Sequence, residues 1–439
     1  MTGTEAAGGT PAANTNRRRR SAAAPAGAPA GASASDAGDV ETAGAEAAPR
    51  GSAPTSPSQA DATAGAEARP TRARSRRTAT TRGRSSRRGG ATVVVTGAAG
   101  VVGSALLPQL LAHPDVAKVV AIDVRRGDVD GAVWKVGDVR DPVVAQRFAG
   151  ADAVVHLAVD WSLSSAPAQR SELNVRGTQT VVTAAAAAGV PRVVLVTSSS
   201  VYGALPDNPV PLPEDSPLQA PPEGIVADLL EIERLAQDAR RVHPGLDVTV
   251  VRPAALVGPG VDTLVTRHFS APRLLCIRDA EPAWQFCHVE DLASALVLCA
   301  LGAASGAVTA GSDGHLEQRR VEELSGMKRV EIPAALAWAT AERLHRVGVT
   351  PAPASELAYV MHPLVVPSTA LRAAGWTPRH DNESCLRAVL EGVQGEHAIA
   401  GRRLGRRDAT LAGASAAGAT VAVLGAAAFV RAARRARGR

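Results

Sequence analysis

Three glycines spaced three residues apart, Gly97, Gly100 and Gly103, follow the β-branched run Val93–Val95 within TVVVTGAAGVVG. Glycines in such a turn let the backbone approach a pyrophosphate, and the N-terminus of a following helix favours its negative charge. The spacing alone arises by chance in a chain this rich in alanine and glycine, but its neighbours make it specific. An Ala/Leu-rich segment runs on through Leu111, and Val119–Ile122 reads as a second strand ending in Asp123, twenty residues after Gly103. An acid at that distance is placed to bind the hydroxyls of an adenosine ribose. The chemistry expected here is the holding of a dinucleotide.

Positioning those groups takes strands and helices in alternation. Val133–Val136 reads as a short strand, followed by Asp138 and Val139 in GDVRD. Ala153–Leu157 is the next apolar run, ahead of a helical stretch over Ser171–Ala188 that contains Asn174. Arg192–Ser198 reads as a buried strand, Ile225–Val242 as a helix, and Asp247–Arg252 as a strand before Pro253. Such alternation predicts an α/β fold, a Rossmann-type doubly wound parallel sheet with both faces covered.

The ends of the chain differ from its middle. Residues 1–90 hold 14 Arg against 7 acids and residues 401–439 hold 9 Arg against 1 acid, so these tails carry +7 and +8. With a net charge of +6 for all 439 residues, the middle carries about −9. Residues 1–90 have too few large apolar side chains to offset the entropy of ordering, and we expect them to be disordered. Their Arg clusters, Arg17–Arg20 and Arg72–Arg88, have no interleaved aromatics and no base-reading motif, so no specific nucleic-acid partner is expected. Contact with an anionic membrane through the tails remains open.

Residues 409–430 form an uncharged segment about long enough to span a bilayer, flanked by Arg on both sides. The five arginines after Val430 oppose insertion from a cytosolic body, so an interfacial or partner-docking helix competes with a span. Cys276, Cys287, Cys299 and Cys385 show no metal spacing, the ten histidines form no HExxH pair, and no signal-peptide pattern opens the chain. These features predict a cytoplasmic protein with buried thiols and no metal, with 409–430 a candidate for membrane association.

Across residues 92–390 the chain resembles the extended short-chain dehydrogenases/reductases, specifically the NAD-dependent epimerase/dehydratase group that includes UDP-glucose 4-epimerase. The pieces that carry the resemblance, in order, are TGAAGVVG, Asp123, DVRD, HLA, Asn174, TSSSVYG, VRPAALVGPG, FCHVEDLA and the AAGWTP segment around Trp376. The sequence looks most like the divergent epimerase-like proteins of high-GC Gram-positive bacteria. The resemblance implies that Gly97, Gly100 and Gly103 hold the pyrophosphate and Asp123 the adenosine ribose. Asp138 and Val139 would flank the adenine, Leu157 and Ala158 would line the cofactor cleft, Asn174 would support the central helix, and Pro253 would sit near the nicotinamide. Asp123 favours NAD by repelling a 2′-phosphate, while Arg125 and Arg126 pull toward NADP, which is not excluded. His288, Glu290 and Asp291 match a structural motif of the family. On this basis residues 91–260 form the NAD(P)-binding domain and 261–400 the substrate-binding lobe, with a late return to the sheet. A nucleotide-sugar-like ligand is implied, and Arg267, Arg273 and Arg278 of that lobe read equally as contacts for its diphosphate or as surface arginines. The oligomeric state is not indicated.

The pattern breaks at the chemistry. The family uses a Tyr four residues before a Lys, assisted by a Ser or Thr on the preceding strand. Ser198 occupies the Ser/Thr place. Counting back eight residues from Glu233 in LEIERLA, Ile225 stands at the Tyr position and Leu229 at the Lys position. The chain has only two tyrosines, Tyr202 and Tyr359, and three lysines, Lys118, Lys135 and Lys328, and none forms the pair. Isoleucine cannot donate a proton and leucine carries no charge, so the usual chemistry is absent. Two classes of function survive: a nucleotide-sugar-type enzyme with another acid (Tyr202, His156 or Asp228), or a silent dinucleotide-binding sensor or scaffold in cell-envelope metabolism.

Overall fold

The computed structural model describes residues 89–403, apart from 163, 164, 272, 349 and 351. The tail over 1–88 and the apolar segment 409–430 lie outside the described residues. Among the described residues no helix is long and apolar enough to cross a membrane.

The first half alternates as its hydrophobic pattern requires. Its elements are β1 (Ala91–Thr96), α1 (Val101–Ala112), β2 (Val116–Asp123), β3 (Val133–Val136), β4 (Ala153–His156), α2 (Pro167–Ser171), α3 (Gly177–Ala187), β5 (Arg192–Val196), α4 (Gly224–Val242) and β6 (Asp247–Pro253). Then come β7 (Ala255–Val257), α5 (Leu264–Ser270), β8 (Leu274–Ile277), β9 (Ala283–Trp284), β10 (Phe286–His288), α6 (Val289–Leu301) and β11 (Ala307–Ala310). Seven strands form one sheet in the order β11-β6-β5-β4-β1-β2-β3, and every pairing in it is parallel. The expected doubly wound sheet is present.

Successive residues of each strand serve opposite faces. Val93 and Val95 of β1 join Leu106, Leu107 and Leu110 of α1 and Leu292 and Leu296 of α6 in one core. Val94 joins Val181 and Ala185 of α3 and Leu229, Ile232 and Ala236 of α4 in the other. The strand order reverses between β1 and β4, which opens a crevice at their carboxyl ends, the usual ligand position in such sheets. A smaller cluster around Phe269, Trp284, Phe286 and Leu386 forms a separate core beyond β6.

The helix expected over Ser171–Ala188 is interrupted. Between α2 and α3, Glu172–Arg176 form a widened π turn. Such turns recur near functional sites. Here it carries Asn174, whose Oδ1 accepts the Asp160 N–H (2.7 Å) and whose Nδ2 donates to the Asp160 carbonyl (3.1 Å).

Buried charge ties α4 to the sheet. Arg252 on β6 donates to both oxygens of Glu233 on α4, each at 2.8 Å, and both side chains are under a tenth exposed. The Thr197 hydroxyl donates to Glu233 (2.8 Å) and Arg252 also donates to the Tyr202 hydroxyl (2.8 Å). Removing one member strands a buried charge, which costs more than the pair contributes. Arg252→Met should therefore lower the unfolding free energy by about 3–5 kcal/mol, read as a shift of the urea midpoint at unchanged slope.

Candidate functional site

The turn between β1 and α1 is built on glycine because side chains have no room there. Gly97 adopts φ +68°, and a Cβ on it would lie 2.5 Å from the backbone of Leu157 and Ala158. A Cβ on Gly103 would lie 2.5 Å from the Ala98 carbonyl oxygen, so the first turn of α1 packs directly on β1's exit. Gly97, Gly100 and Gly103 then line a cavity of about 390 Å³. Open backbone at a helix start is a fitting cradle for a pyrophosphate.

The remaining sequence-derived residues divide into two groups. Leu157, Ser198, Ile225, Leu229 and Pro253 line the same cavity as the glycines. The Ser198 side chain accepts the Ser200 N–H (3.1 Å) and caps a short turn. Ile225 and Leu229 lie one helical turn apart on α4, and Leu229 is only 1% exposed because it also belongs to the core beneath. The apolar pair thus fills the wall where a phenol and an ammonium were expected.

Asp123, Asp138, Val139, Ala158 and Asn174 lie outside that lining. Asp123 ends β2, where its Oδ2 accepts the Ala99 N–H (3.0 Å) and so braces the glycine turn. Arg125 donates to the Ala99 carbonyl (2.9 Å), placing a cation beside the same turn. The Gly137 N–H donates to the Asp123 carbonyl (2.9 Å), which brings Asp138 to the same end of the sheet. Arg140 forks onto both Asp138 oxygens, and this hydrogen-bonded pairing holds the carboxyl below its usual range. Val139 is buried against Gly177. Asn174 anchors the chain after β4 and donates to Asp228 (3.2 Å).

None of the three alternative acids reaches the cavity. Tyr202 is 2% exposed, and its hydroxyl donates to the Glu214 carbonyl (2.7 Å) while burial raises its pKa. His156 meets the Thr96 hydroxyl through Nδ1 (2.7 Å) and the Thr178 hydroxyl through Nε2 (3.1 Å). Because the Thr178 hydroxyl hydrogen goes to the Asn174 carbonyl, Nε2 must donate, and burial keeps the ring neutral by pushing its pKa down to about 4. Asp228 pairs with Arg170 (2.9 Å) in the interior. All three are engaged by buried partners.

Other expectations resolve similarly. Arg267 is paired with Asp262 (2.6 Å), which lines the cavity, and Arg278 with Glu331 (3.1 Å). No lysine or arginine is among the described residues lining the cavity. Asp291 accepts the N–H groups of Arg379 (2.8 Å) and His380 (3.0 Å), so FCHVEDLA tethers the segment around Trp376. His288, Glu290 and His380 stand close enough to share a metal ion. However, His288 Nδ1 accepts the Glu290 N–H (3.3 Å), which leaves the proton of the neutral ring on Nε2, the atom an ion would need. The four cysteines are buried free thiols.

Among the cavity residues that sequence reasoning missed is a set with titratable side chains from a distant part of the chain. Glu356, Tyr359 and His362 come from a 3-10 helix over Ala354–Val360 and the residues after it. This Pro/Ala-rich stretch has no strand or helix periodicity, and the only signal was that Tyr359 is one of two tyrosines.

A glycine cradle at the switch point of a doubly wound sheet defines a dinucleotide-binding α/β protein. The profile of the NAD dependent epimerase/dehydratase family matches residues 93–309. An uncharacterized protein of Mycobacterium tuberculosis is 31% identical over 303 residues, covering 65% of this chain and 80% of its own. A dTDP-glucose 4,6-dehydratase of Streptomyces griseus is 31% identical over 226 residues, covering 45% of this chain and 66% of its own. Among solved structures, the UDP-glucose 4-epimerase of Thermus thermophilus in complex with NAD superposes with a TM-score of 0.54 at 20% identity, over 69% of this chain and 99% of the other. The chain belongs to the NAD-dependent epimerase/dehydratase family.

Gly103→Ala tests the cradle. The added methyl group must push α1 off the β1 turn, which should cost about 1–3 kcal/mol of stability and abolish dinucleotide binding, measured by urea titration and calorimetry on the same preparation.

Proposed function

We propose that this chain binds NAD(H) in a nucleotide-sugar-type cleft of the epimerase/dehydratase kind, in which the Tyr–Lys proton relay is gone. The observation that carries the reading is the cavity itself. The glycine turn, Ser198 and Pro253 line it, and so do Ile225 and Leu229, which counting back from Glu233 puts at the relay positions. Residues 91–260 would form the dinucleotide-binding part and 261–400 the lobe that closes over the second ligand.

Bound NAD would supply a hydride acceptor. Gly97, Gly100 and Gly103 would hold the pyrophosphate, and Asp123, Asp138 and Val139 the adenosine end. Leu157, Ala158 and Pro253 would shape the nicotinamide end, with Asn174 steadying α4. Asp123 already braces the glycine turn through Ala99, so one carboxylate would serve both the turn and the ribose hydroxyls. The nearby Arg125 guanidinium moderates discrimination against NADP without supplying a dedicated 2′-phosphate site. A nucleotide sugar is favoured as second ligand by what the related enzymes act on. With Arg267 engaged by Asp262, backbone N–H and hydroxyl groups would carry much of the diphosphate recognition.

Calorimetric titration with NAD⁺, NADP⁺ and ADP-ribose tests the reading. NAD⁺ should bind more tightly than NADP⁺, and Asp123→Ala should weaken NAD⁺ by about 1–3 kcal/mol, the loss expected for hydrogen bonds to a charged group. Absence of binding by all three ligands at millimolar concentration would mean that the fold persists without its cofactor.

A further inference from the structure

We propose that Glu356 is the proton-exchanging group of this cleft, accepting the proton of a nucleotide-sugar hydroxyl on Oε2 and returning it. The inference rests on the cofactor reading above and assigns the work of the missing tyrosine to a residue from another part of the chain.

The geometry has three parts. Glu356 lines the cavity although it is only 5% exposed. Its Oε2 has no hydrogen-bond partner among the described residues, a costly state for a buried oxygen unless a ligand completes it. Its Oε1 lies at the start of α4, since a Cβ on Gly224 would be 2.9 Å from it. Gly224 directly precedes Ile225, the relay position, so the carboxyl stands beside the place from which the phenol would have projected. No side chain caps that end of α4.

Tyr359 holds the segment in place. Three residues beyond Glu356, it lines the same cavity, and its hydroxyl donates to the Ser200 carbonyl (2.9 Å). The 3-10 helix is thereby pinned to the turn that begins at Ser198. The acid, the serine and the head of α4 thus border one space.

The charged and titratable groups facing Glu356 are Arg170, Arg267, His345 and Tyr359. Arg170 and Arg267 already neutralise Asp228 and Asp262, so burial dominates and pushes the Glu356 carboxyl up to about 7. A group poised there is present both as acid and as base at neutral pH, the condition for efficient proton exchange. In the forward step the ligand O–H bond breaks and an O–H bond forms on Oε2. The two electrons of the neighbouring C–H bond leave as hydride to the oxidised nicotinamide dinucleotide, and the ligand carbon becomes a carbonyl. The reverse step restores both.

Glu356→Gln and Glu356→Asp in the full chain test this by three readouts. The first needs no ligand. The folded protein keeps the Glu356 proton up to about pH 7, whereas the unfolded chain releases it near the ordinary value of 4.5. Folded chains therefore bind more protons between those limits, and stability falls as pH rises through that window. The wild type should show this fall relative to Glu356→Gln, and superimposable pH profiles would overturn the proposal. The second readout is NAD⁺ affinity, expected to be alike in all three proteins. The third follows conversion of UDP-glucose, UDP-galactose and dTDP-glucose, with transient absorbance at 340 nm. Wild-type conversion should rise with pH through about 7. It should fall by about 10²–10⁴-fold in Glu356→Gln and recover in part in Glu356→Asp. Equal turnover by Glu356→Gln, or wild type that binds NAD⁺ and converts none of the three, overturns the proton role while the cofactor reading stands. Failure of the wild type to bind NAD⁺ removes both.

Discussion

The two buried ion pairs that clamp α4 decide what the cleft can be. Glu233 is held by Arg252 and Thr197 on the sheet side, and Asp228 by Arg170 and Asn174 on the other. A helix carrying two buried carboxylates has little freedom to rotate, because any turn would strand one of them in the interior. Ile225 and Leu229 therefore face the cavity by constraint. The helix is held in one register, with Ile225 and Leu229 on its cavity side.

That constraint separates what was legible in the sequence from what was not. The strands could be read from their β-branched runs, and the glycine turn from spacing plus a trailing acid, because local sterics impose both. The run of α4 was legible from its apolar positions, and Glu233 fixed the register in which Ile225 and Leu229 were counted. The π turn at Asn174 left no mark, since a one-residue widening does not change the helical pattern. The partners of Tyr202, His156 and Asp228 were equally hidden. Each had the right chemistry for an acid, and only the fold shows that its polar atoms are spent on Arg252, the Thr96 and Thr178 hydroxyls, and Arg170.

Glu356 was invisible for a different reason. Its position in the cavity depends on a loop-like segment returning to α4 from more than a hundred residues downstream, a contact that no local pattern encodes. Its neighbours Pro353 and Ala354 lend the segment no strand or helix periodicity. The arginines of the lobe were readable either as diphosphate contacts or as surface groups, and Arg267 and Arg278 are each ion-paired with a neighbouring acid.

The proposed transfer of the proton role from α4 to Glu356 also changes what tunes it. In a Tyr–Lys arrangement a phenol must be brought down toward neutrality by an adjacent cation. A carboxyl starts below neutrality and must be brought up, and burial alone does that without a lysine. Loss of the Lys position is then not a second defect added to loss of the Tyr position. A buried ammonium at residue 229 would favour the ionised form of any nearby carboxyl and work against burial, so leucine there suits a carboxyl that is to titrate near pH 7. Orientation passes at the same time from one rigid helix to the contact between the 3-10 helix and the Ser198–Ser200 turn, for which the Tyr359 hydroxyl is the fastening.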